Sequence, residues 1–331
     1  MHNRCTINVN NLVKVLEMKS KKMIVLVTAG LFVVAFWACE SAFAGYIVAW
    51  GQNEYGECDV PAGDDFNKIA SGFRHSLGLR SDGSLVAWGH RYWGQCDVPE
   101  GGKFADIAGG GGFTLALKPD GSLAAWGQND YGQCDVPEGT DFVDIQCGSI
   151  HSLALKNNSS LVAWGNTAHG QCNVPAGNNF VAIAAGGNHS VTLMSNGSLV
   201  AFGQNYQGQC NVPTGNDFAV ITAGEFHNLA IRSDGSLVAW GLNDDGQCLV
   251  PAGNDYIAVA AGCDHSLALK SDGSLVAWGD NTYGQCNVPP GNNFVGIAAG
   301  GFNNLALVPE PSTLFLLGLG SMALLRKRRK I

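Results

Sequence analysis

The chain has 331 residues, of which 45 are glycine and only 14% are charged. Its formal net charge is −8, but residues 45–308 carry nine basic side chains against 24 acidic ones, a net of −15. Nucleic-acid binding relies on Lys and Arg to neutralise phosphates, so this balance sets DNA and RNA aside as partners.

From Met18 the chain reads Lys19, Lys21 and Lys22, then an apolar run from Met23 to Ala38, then Ala42-Phe43-Ala44 before Gly45. Basic, apolar and small residues in that order mark a secretory signal peptide, with cleavage between Ala44 and Gly45. Residues 1–44 are therefore expected to be an N-terminal extension and signal peptide, with Met18 as a second candidate start. The alternative, a lipoprotein anchored at Cys39, fits poorly with Phe36-Trp37-Ala38 before the cysteine.

Residues 45–308 repeat with a period of 38. Trp50, Trp88, Trp126, Trp164, Phe202, Trp240 and Trp278 keep that step, as do seven Val-Pro pairs from Pro61 to Pro289 and seven aromatics from Phe66 to Phe294. No insertion breaks it, which marks an array of one supersecondary unit. The unit that starts at Ser84 reads as four short strands: SLVAWG, then GQCDVP after a loop, then FADIAG, then FTLALK. Asp-Gly or Asn-Gly between alternating runs is a strong hairpin signal, and Asp82, Asp120, Asn196, Asp234 and Asp272 supply it. A further hairpin has Asn158-Ser159, where Asn158 tolerates a positive φ.

Four strands per 38 residues, seven times over, predict an all-β, seven-bladed β-propeller. The segment Tyr46–Trp50 reads as the second strand of a hairpin and Asn304–Leu307 as the first, so their pairing would close the ring and remove its open edge. An open β-solenoid would need dedicated capping repeats instead.

Units such as SDGSLVAWG…GQC and GCDHSLALK resemble the repeats of the regulator of chromosome condensation family, which implies a seven-bladed propeller. The short form, with VP after GQ and AIAAG before HSLAL, is similar to the secreted propeller that inhibits β-lactamases. The resemblance covers residues 45–308 and rests on scaffold residues, so it speaks for fold more than function.

His75, His151, His189, His227 and His265 share one repeat position, with Phe113 and Asn303 in the other two copies. Equivalent sites on different blades lie too far apart to share a metal, whose ligands sit about 2 Å from it. These histidines are expected to be scaffold, hydrogen-bonding within each blade. Cys58, Cys96, Cys134, Cys172, Cys210, Cys248 and Cys286 share another position. Sheets pack about 10 Å apart, beyond disulfide reach, so free thiols acting as small apolar residues are expected. Cys147 replaces an alanine, and Cys263 falls in a loop where it would be reactive or pair between chains. No catalytic constellation stands out from the repeat, and no metal or cofactor is expected.

The positions that vary are the informative ones. Four-residue loops between AWG and GQC, and the pairs before the His position, are expected on one face. They present Tyr55, Phe73, Arg74, Tyr92, Trp93, Tyr131, His169, Tyr206, Phe226, Tyr283 and Phe302. Exposed Tyr, Trp and Arg are what interaction hot spots are made of. The plainer alternative is that each aromatic only covers its own loop. In the β-lactamase inhibitor that the chain resembles, the corresponding loops form the inhibitory surface.

Val308-Pro309-Glu310-Pro311-Ser312 leads into an apolar run from Thr313 to Leu325 and then Arg326–Lys330, all basic. The run is short for a full span, which takes about 20 residues, and the basic cluster fits a cytoplasmic stop. The three elements together resemble the PEP-type sorting signal of Gram-negative bacteria, which implies cleavage near Pro309-Glu310-Pro311 by an exosortase-like peptidase after transient anchoring through residues 313–325. A plain membrane anchor is the alternative.

The expected product is a non-enzymatic exported propeller, at the cell surface or outside the cell, that binds a protein or glycan through the aromatic face. A structural surface or matrix component, an inhibitor of a secreted enzyme, and an enzyme with a channel active site are the alternatives.

Overall fold

The computed structural model describes residues 16–18, 21–23 and 44–310. The chain divides into two units, residues 1–42 and 43–331. Within the first, β1 (Leu16–Met18) pairs antiparallel with β2 (Lys21–Met23). The signal-peptide apolar run and the C-terminal run from Thr313 lie outside the described residues. Among the described residues no helix is long and apolar enough to cross a membrane.

The second unit is all strand and turn. It opens with β3 (Gly45–Gly51), followed by β4 (Phe66–Ser71), β5 (His75–Arg80) and β6 (Leu85–Gly89). The same triplet recurs as β7 (Asp106–Gly109), β8 (Phe113–Leu117) and β9 (Leu123–Gly127), then as β10 (Phe142–Cys147), β11 (His151–Lys156) and β12 (Leu161–Gly165). It continues with β13 (Phe180–Ala185), β14 (His189–Met194) and β15 (Leu199–Gly203), then β16 (Phe218–Ala223), β17 (His227–Arg232) and β18 (Leu237–Gly241). The last full triplet is β19 (Tyr256–Ala261), β20 (His265–Lys270) and β21 (Leu275–Gly279), and β22 (Gly296–Ala299) and β23 (Asn303–Pro309) end the series. The five triplets from β7 to β21 are each an antiparallel three-stranded sheet; β22, β23 and β3 form the same arrangement from the two ends of the unit and join β4, β5 and β6 in one six-stranded sheet through the single pair Gly45–Phe66. There Asn303–Pro309 runs opposite Gly51–Gly45. The strand reaches Pro309, one residue past the expected boundary at 308.

The GQCDVP segment is not a strand, so the unit has three strands rather than the expected four. Its carbonyls are consumed elsewhere. Gln95 O accepts from Trp126 Nε1 at 3.0 Å and from Thr114 Oγ1 at 2.9 Å, both in the next repeat. Asp97 N–H and Val98 N–H close local turns onto Gly94 and Cys96. With those groups taken, no ladder forms along the outer edge.

The hairpins also differ in detail. Gly83 and Gly121 carry the positive φ, and Ser159, at 64°, carries it in the turn expected to place it on Asn158. Gly83 N–H donates to Arg80 O across Ser81 and Asp82, so Asp82 lies inside the turn while the second residue of the Asp-Gly pair takes the left-handed conformation.

The middle strands are buried on both faces, which explains their composition. In β5, Leu77 and Leu79 are fully buried and pack with Phe104, Ile107 and Ala116 of the following repeat. Each leucine contributes about 1.5–3 kcal/mol by leaving water. One core cluster joins Ile47, Phe66, Trp88, Leu305 and Leu307, which mixes residues from both ends of the unit.

A polar seam accompanies this core, and it corrects the expectation that the histidines bond within a blade. Each histidine reaches into the next repeat: His75 Nε2 to Thr114 Oγ1 at 3.1 Å, His151 to Ser190 at 3.0 Å, His189 to Asn228 Oδ1 at 2.8 Å, His227 to Ser266 at 3.0 Å and His265 to Asn304 Oδ1 at 2.9 Å. Asn228 Nδ2 and Asn304 Nδ2 donate to Gln209 O and Gln285 O, so their Oδ1 atoms accept and the histidines must carry the proton on Nε2. Trp50 Nε1 also donates to Gln285 O, at 3.0 Å, which brings the first strand into the last seam. Glycines make the approach possible. A Cβ on Gly186 would lie 2.4 Å from Gly224 O, and one on Gly300 would lie 2.7 Å from Gly72 O.

Candidate binding face

The loop after each outer strand and the turn between each inner and middle strand emerge on the same side of the unit. His90 N–H donates to Arg74 O and Gln128 N–H to Gly112 O, which ties the two sets together. Each loop is pinned at both ends. The cysteine thiol donates to the carbonyl of the loop's first residue, as in Cys58 Sγ to Gln52 O at 3.2 Å and Cys96 Sγ to His90 O at 3.2 Å. A buried glutamine accepts from the amide of the loop's last residue, as in Trp93 N–H to Gln95 Oε1 at 3.1 Å and Tyr283 N–H to Gln285 Oε1 at 2.8 Å, and in the first loop the buried Glu57 carboxylate accepts from Tyr55 N–H at 2.7 Å. The seven repeat cysteines are therefore hydrogen-bond donors as well as small apolar fillers.

Burial pushes these thiols up, Cys58 to about 12 and Cys172 to about 11, and none is bonded to another cysteine. Cys263 is buried too, and its thiol is likewise raised by burial, which corrects the expectation that it is reactive. Since the thiolate is the attacking form, the described thiols should react with Ellman's reagent at pH 8 at least about a hundredfold more slowly than a free thiol, until denaturant is added. Rapid labelling of the native protein at these positions would contradict the buried-donor reading.

The structure places the candidate face residues in two layers and groups some of them. Tyr55, Tyr92, Trp93, Tyr131, His169, Tyr206 and Tyr283 are exposed, with Tyr92 the most open at 81%. Phe73, Arg74, Phe226 and Phe302 are half-buried beneath them. One continuous chain of contacts runs Tyr283–Phe302 (ring centroids 5.5 Å apart), Phe302–Phe73 (5.9 Å), then through Arg74 to Tyr55. The Arg74 guanidinium lies 4.9 Å from the Tyr55 ring centre and 5.4 Å from that of Phe73, and donates to Tyr55 Oη at 2.9 Å. Tyr55 then meets His90 at 4.7 Å, and His90 meets Trp93 at 5.4 Å. His169 and Tyr206 form a separate pair at 6.1 Å. Tyr131 and Phe226 join neither group.

Sequence reasoning missed His90, whose ring links the Tyr55 and Trp93 loops. Burial and the nearby Arg74 charge hold His90 below the usual histidine range, so it stacks as a neutral ring at pH 7. It also missed Glu225, which accepts from Ser149 Oγ at 2.9 Å and is pushed up by burial. Asp264 is raised by burial and by Asp245, Asp280 and Asp244, and its carbonyl accepts from Asp280 N–H, so acidic side chains gather beside the Tyr283 end of the array. Loop positions that differ in every copy carried no periodic signal for these neighbours.

The inner-strand ends surround an open depression of about 90 Å³, lined by Phe73, Cys147, Ser149, Glu225 and Cys263 among glycines. Small-molecule sites usually span about 300–1,000 Å³, so a ligand of this face must lie across the loops rather than inside.

Repeated three-stranded sheets, joined by one seam and presenting loops on one side, define a propeller-type repeat protein. The chain belongs to the regulator of chromosome condensation (RCC1) repeat family, whose model matches residues 66–92, 104–133, 142–171, 180–209, 218–247 and 256–285. A second model, the PEP-CTERM protein-sorting motif, matches residues 307–330. No curated protein matches the chain by sequence. Among solved structures it is similar to Prp20p of Saccharomyces cerevisiae, studied for its binding to Gsp1p and histones, with a TM-score of 0.70 and 19% identity over 86% of this chain and 97% of that one. Human WBSCR16 gives a TM-score of 0.66 and 17% identity over 80% of this chain and 99% of that one. The ectodomain of the Physcomitrella patens receptor kinase CR4 gives 0.64 and 23% identity over 72% and 67%. At these identities the likeness concerns the fold.

Proposed function

We propose that the chain is an exported, seven-bladed propeller, closed by the β23–β3 ladder, that binds a ligand through the aromatic loop face without chemistry of its own. In this reading residues 1–44 are removed on export, residues 45–308 form the propeller, and residues 309–331 hold it at the membrane until an exosortase-like peptidase releases it to the cell surface or medium. The observation that carries the binding role is the unbroken Tyr283–Phe302–Phe73–Arg74–Tyr55–His90–Trp93 array. Its loops are pinned by hydrogen bonds from thiols and to buried glutamine or, in the Tyr55 loop, Glu57 side chains, so little loop freedom is lost on binding. A protein or a glycan could supply the ligand, and the Tyr, Trp and Arg make-up favours a protein. The sorting motif supports export and processing, and the family's fold supports protein binding.

Partners captured from the cell envelope provide the test. Trp93→Ala with Tyr55→Ala should weaken the captured partner by about 2–4 kcal/mol, or roughly 30- to 1,000-fold in Kd by calorimetry. Tyr131→Ala, outside the array, should cost less than about tenfold. An unchanged Kd in the double variant would refute the assignment.

A further inference from the structure

Opposite the aromatic loops, the inner-strand segments begin with a ring of small and aliphatic side chains. The residue after each repeat aromatic is Asn67, Ala105, Val143, Val181, Ala219, Ile257 or Val295. All but Asn67 are exposed, Val181 by 49% and Ile257 by 53%. In several repeats this residue is the one that the ladder skips, between Phe142 and Asp144, Phe180 and Ala182, and Tyr256 and Ala258. A skipped residue is released from the pairing pattern, which leaves its side chain free to point outward. At the same end a cavity of about 290 Å³ opens between Asn67 and Val295, where Gly296 has no side chain to fill it. The ring contains no aromatic and no charge, unlike the loop face.

The chain leaves at this end. Val295 N–H donates to Leu307 O, and Glu310 follows three residues later in the same direction. From Glu310 to Thr313, where the apolar run starts, the chain can extend about 10 Å at most. Whatever holds residues 313–325 is therefore held against this ring.

We propose that this end is a lipid-facing surface: in the anchored protein the aliphatic ring rests on the bilayer interface and the aromatic loops point away from it. The proposal rests on the reading of residues 313–325 as a membrane anchor. The attraction is apolar rather than electrostatic, because Arg80, Lys103, Lys156, Arg232 and Lys270 at this end are already paired with Asp65, Asp82, Asp141, Asp217 and Asp255, which among the described residues leaves exposed Lys118 as a single cation among many acids. Exposed Asp120, Asp234 and Asp272 on the neighbouring turns also disfavour anionic headgroups. Zwitterionic lipid is the surface that fits.

The test uses the full chain with Val181→Cys, Ile257→Cys or Tyr206→Cys, each labelled with a fluorophore. The protein is bound to phosphatidylcholine vesicles with or without bromine in the acyl chains. An interfacial face buries about 5–10 Å into the headgroup boundary, so the labels at 181 and 257 should be quenched about twofold or more by the brominated lipid, and the label at 206 hardly at all. Protein that floats with the vesicles but shows no quenching at 181 and 257 overturns the proposal while leaving the anchor intact. Equal quenching at all three sites overturns it as well. Protein that fails to float removes the anchor reading and the proposal with it.

Discussion

Lowering the pH from 7.5 to 5 is expected to cut the stability of the folded unit by about 7 kcal/mol and its melting temperature by about 15 °C. The cause is the ring of seam histidines. Burial holds His75 and His189 down at about 4, and His151 and His227 at about 3, with His265 also lowered. Their Nδ1 atoms have no hydrogen-bond partner, and only His265 has a carboxylate, Asp280, acting on it, so a proton placed on the others would be an uncompensated buried charge. Unfolded histidine titrates near 6.5, so between that value and 3–4 the unfolded chain binds more protons, and stability falls as pH falls. At pH 5 each of these four histidines contributes about 2 kcal/mol to the loss. Asp144, raised to about 6 by burial and by Asp106, works in the opposite direction and returns about 1 kcal/mol. His151→Asn should flatten the profile by about one histidine's share, since Asn303 already occupies the equivalent place. Calorimetry at both pH values decides the matter: a melting temperature unchanged within about 2 °C would mean that the histidines are not neutral donors.

Gly186→Ala should cost at least about 4 kcal/mol, enough to leave the protein partly unfolded at room temperature in modest denaturant. The added Cβ would lie 2.3 Å from His189 Cε1 and 2.4 Å from Gly224 O. The first contact strikes the seam histidine and the second strikes the backbone of the neighbouring repeat, so relief requires two sheets to move apart along a packed core. Gly101→Ala provides the contrast. Gly101 has a φ of 70° but nothing within 4 Å of an added Cβ, so only the left-handed backbone is penalised, by about 1 kcal/mol. Urea unfolding of the two variants separates close approach from backbone conformation. A Gly186→Ala midpoint matching that of Gly101→Ala would show that the seam can open cheaply.

These two results mark the boundary of what the sequence disclosed. The 38-residue step, the hairpins and the pairing of the terminal strands were legible because apolar alternation and turn residues act within a few positions of themselves. The seam was not. His75 meets Thr114 across 39 residues and Trp126 meets Gln95 across 31, and neither spacing differs from chance without the fold. The same holds for GQCDVP, whose alternation looks like a strand but whose carbonyls go to another repeat. On the face, composition identified the aromatic positions, and side-chain geometry alone decided that Tyr55 and Trp93 belong together while Tyr131 stands apart.

The terminal ladder also determines how the molecule bears load. Tension transmitted through the residues after Glu310 runs along β23, which lies between β22 and β3. Four residue pairs on one side and seven on the other would have to slip together rather than break in succession. A pull on the tail is thus met in shear by the whole length of the strand, the geometry in which a β-sheet resists force best. On the reading that residues 309–331 hold the body at a membrane, flow or a bound partner would drag it without its first strand peeling away.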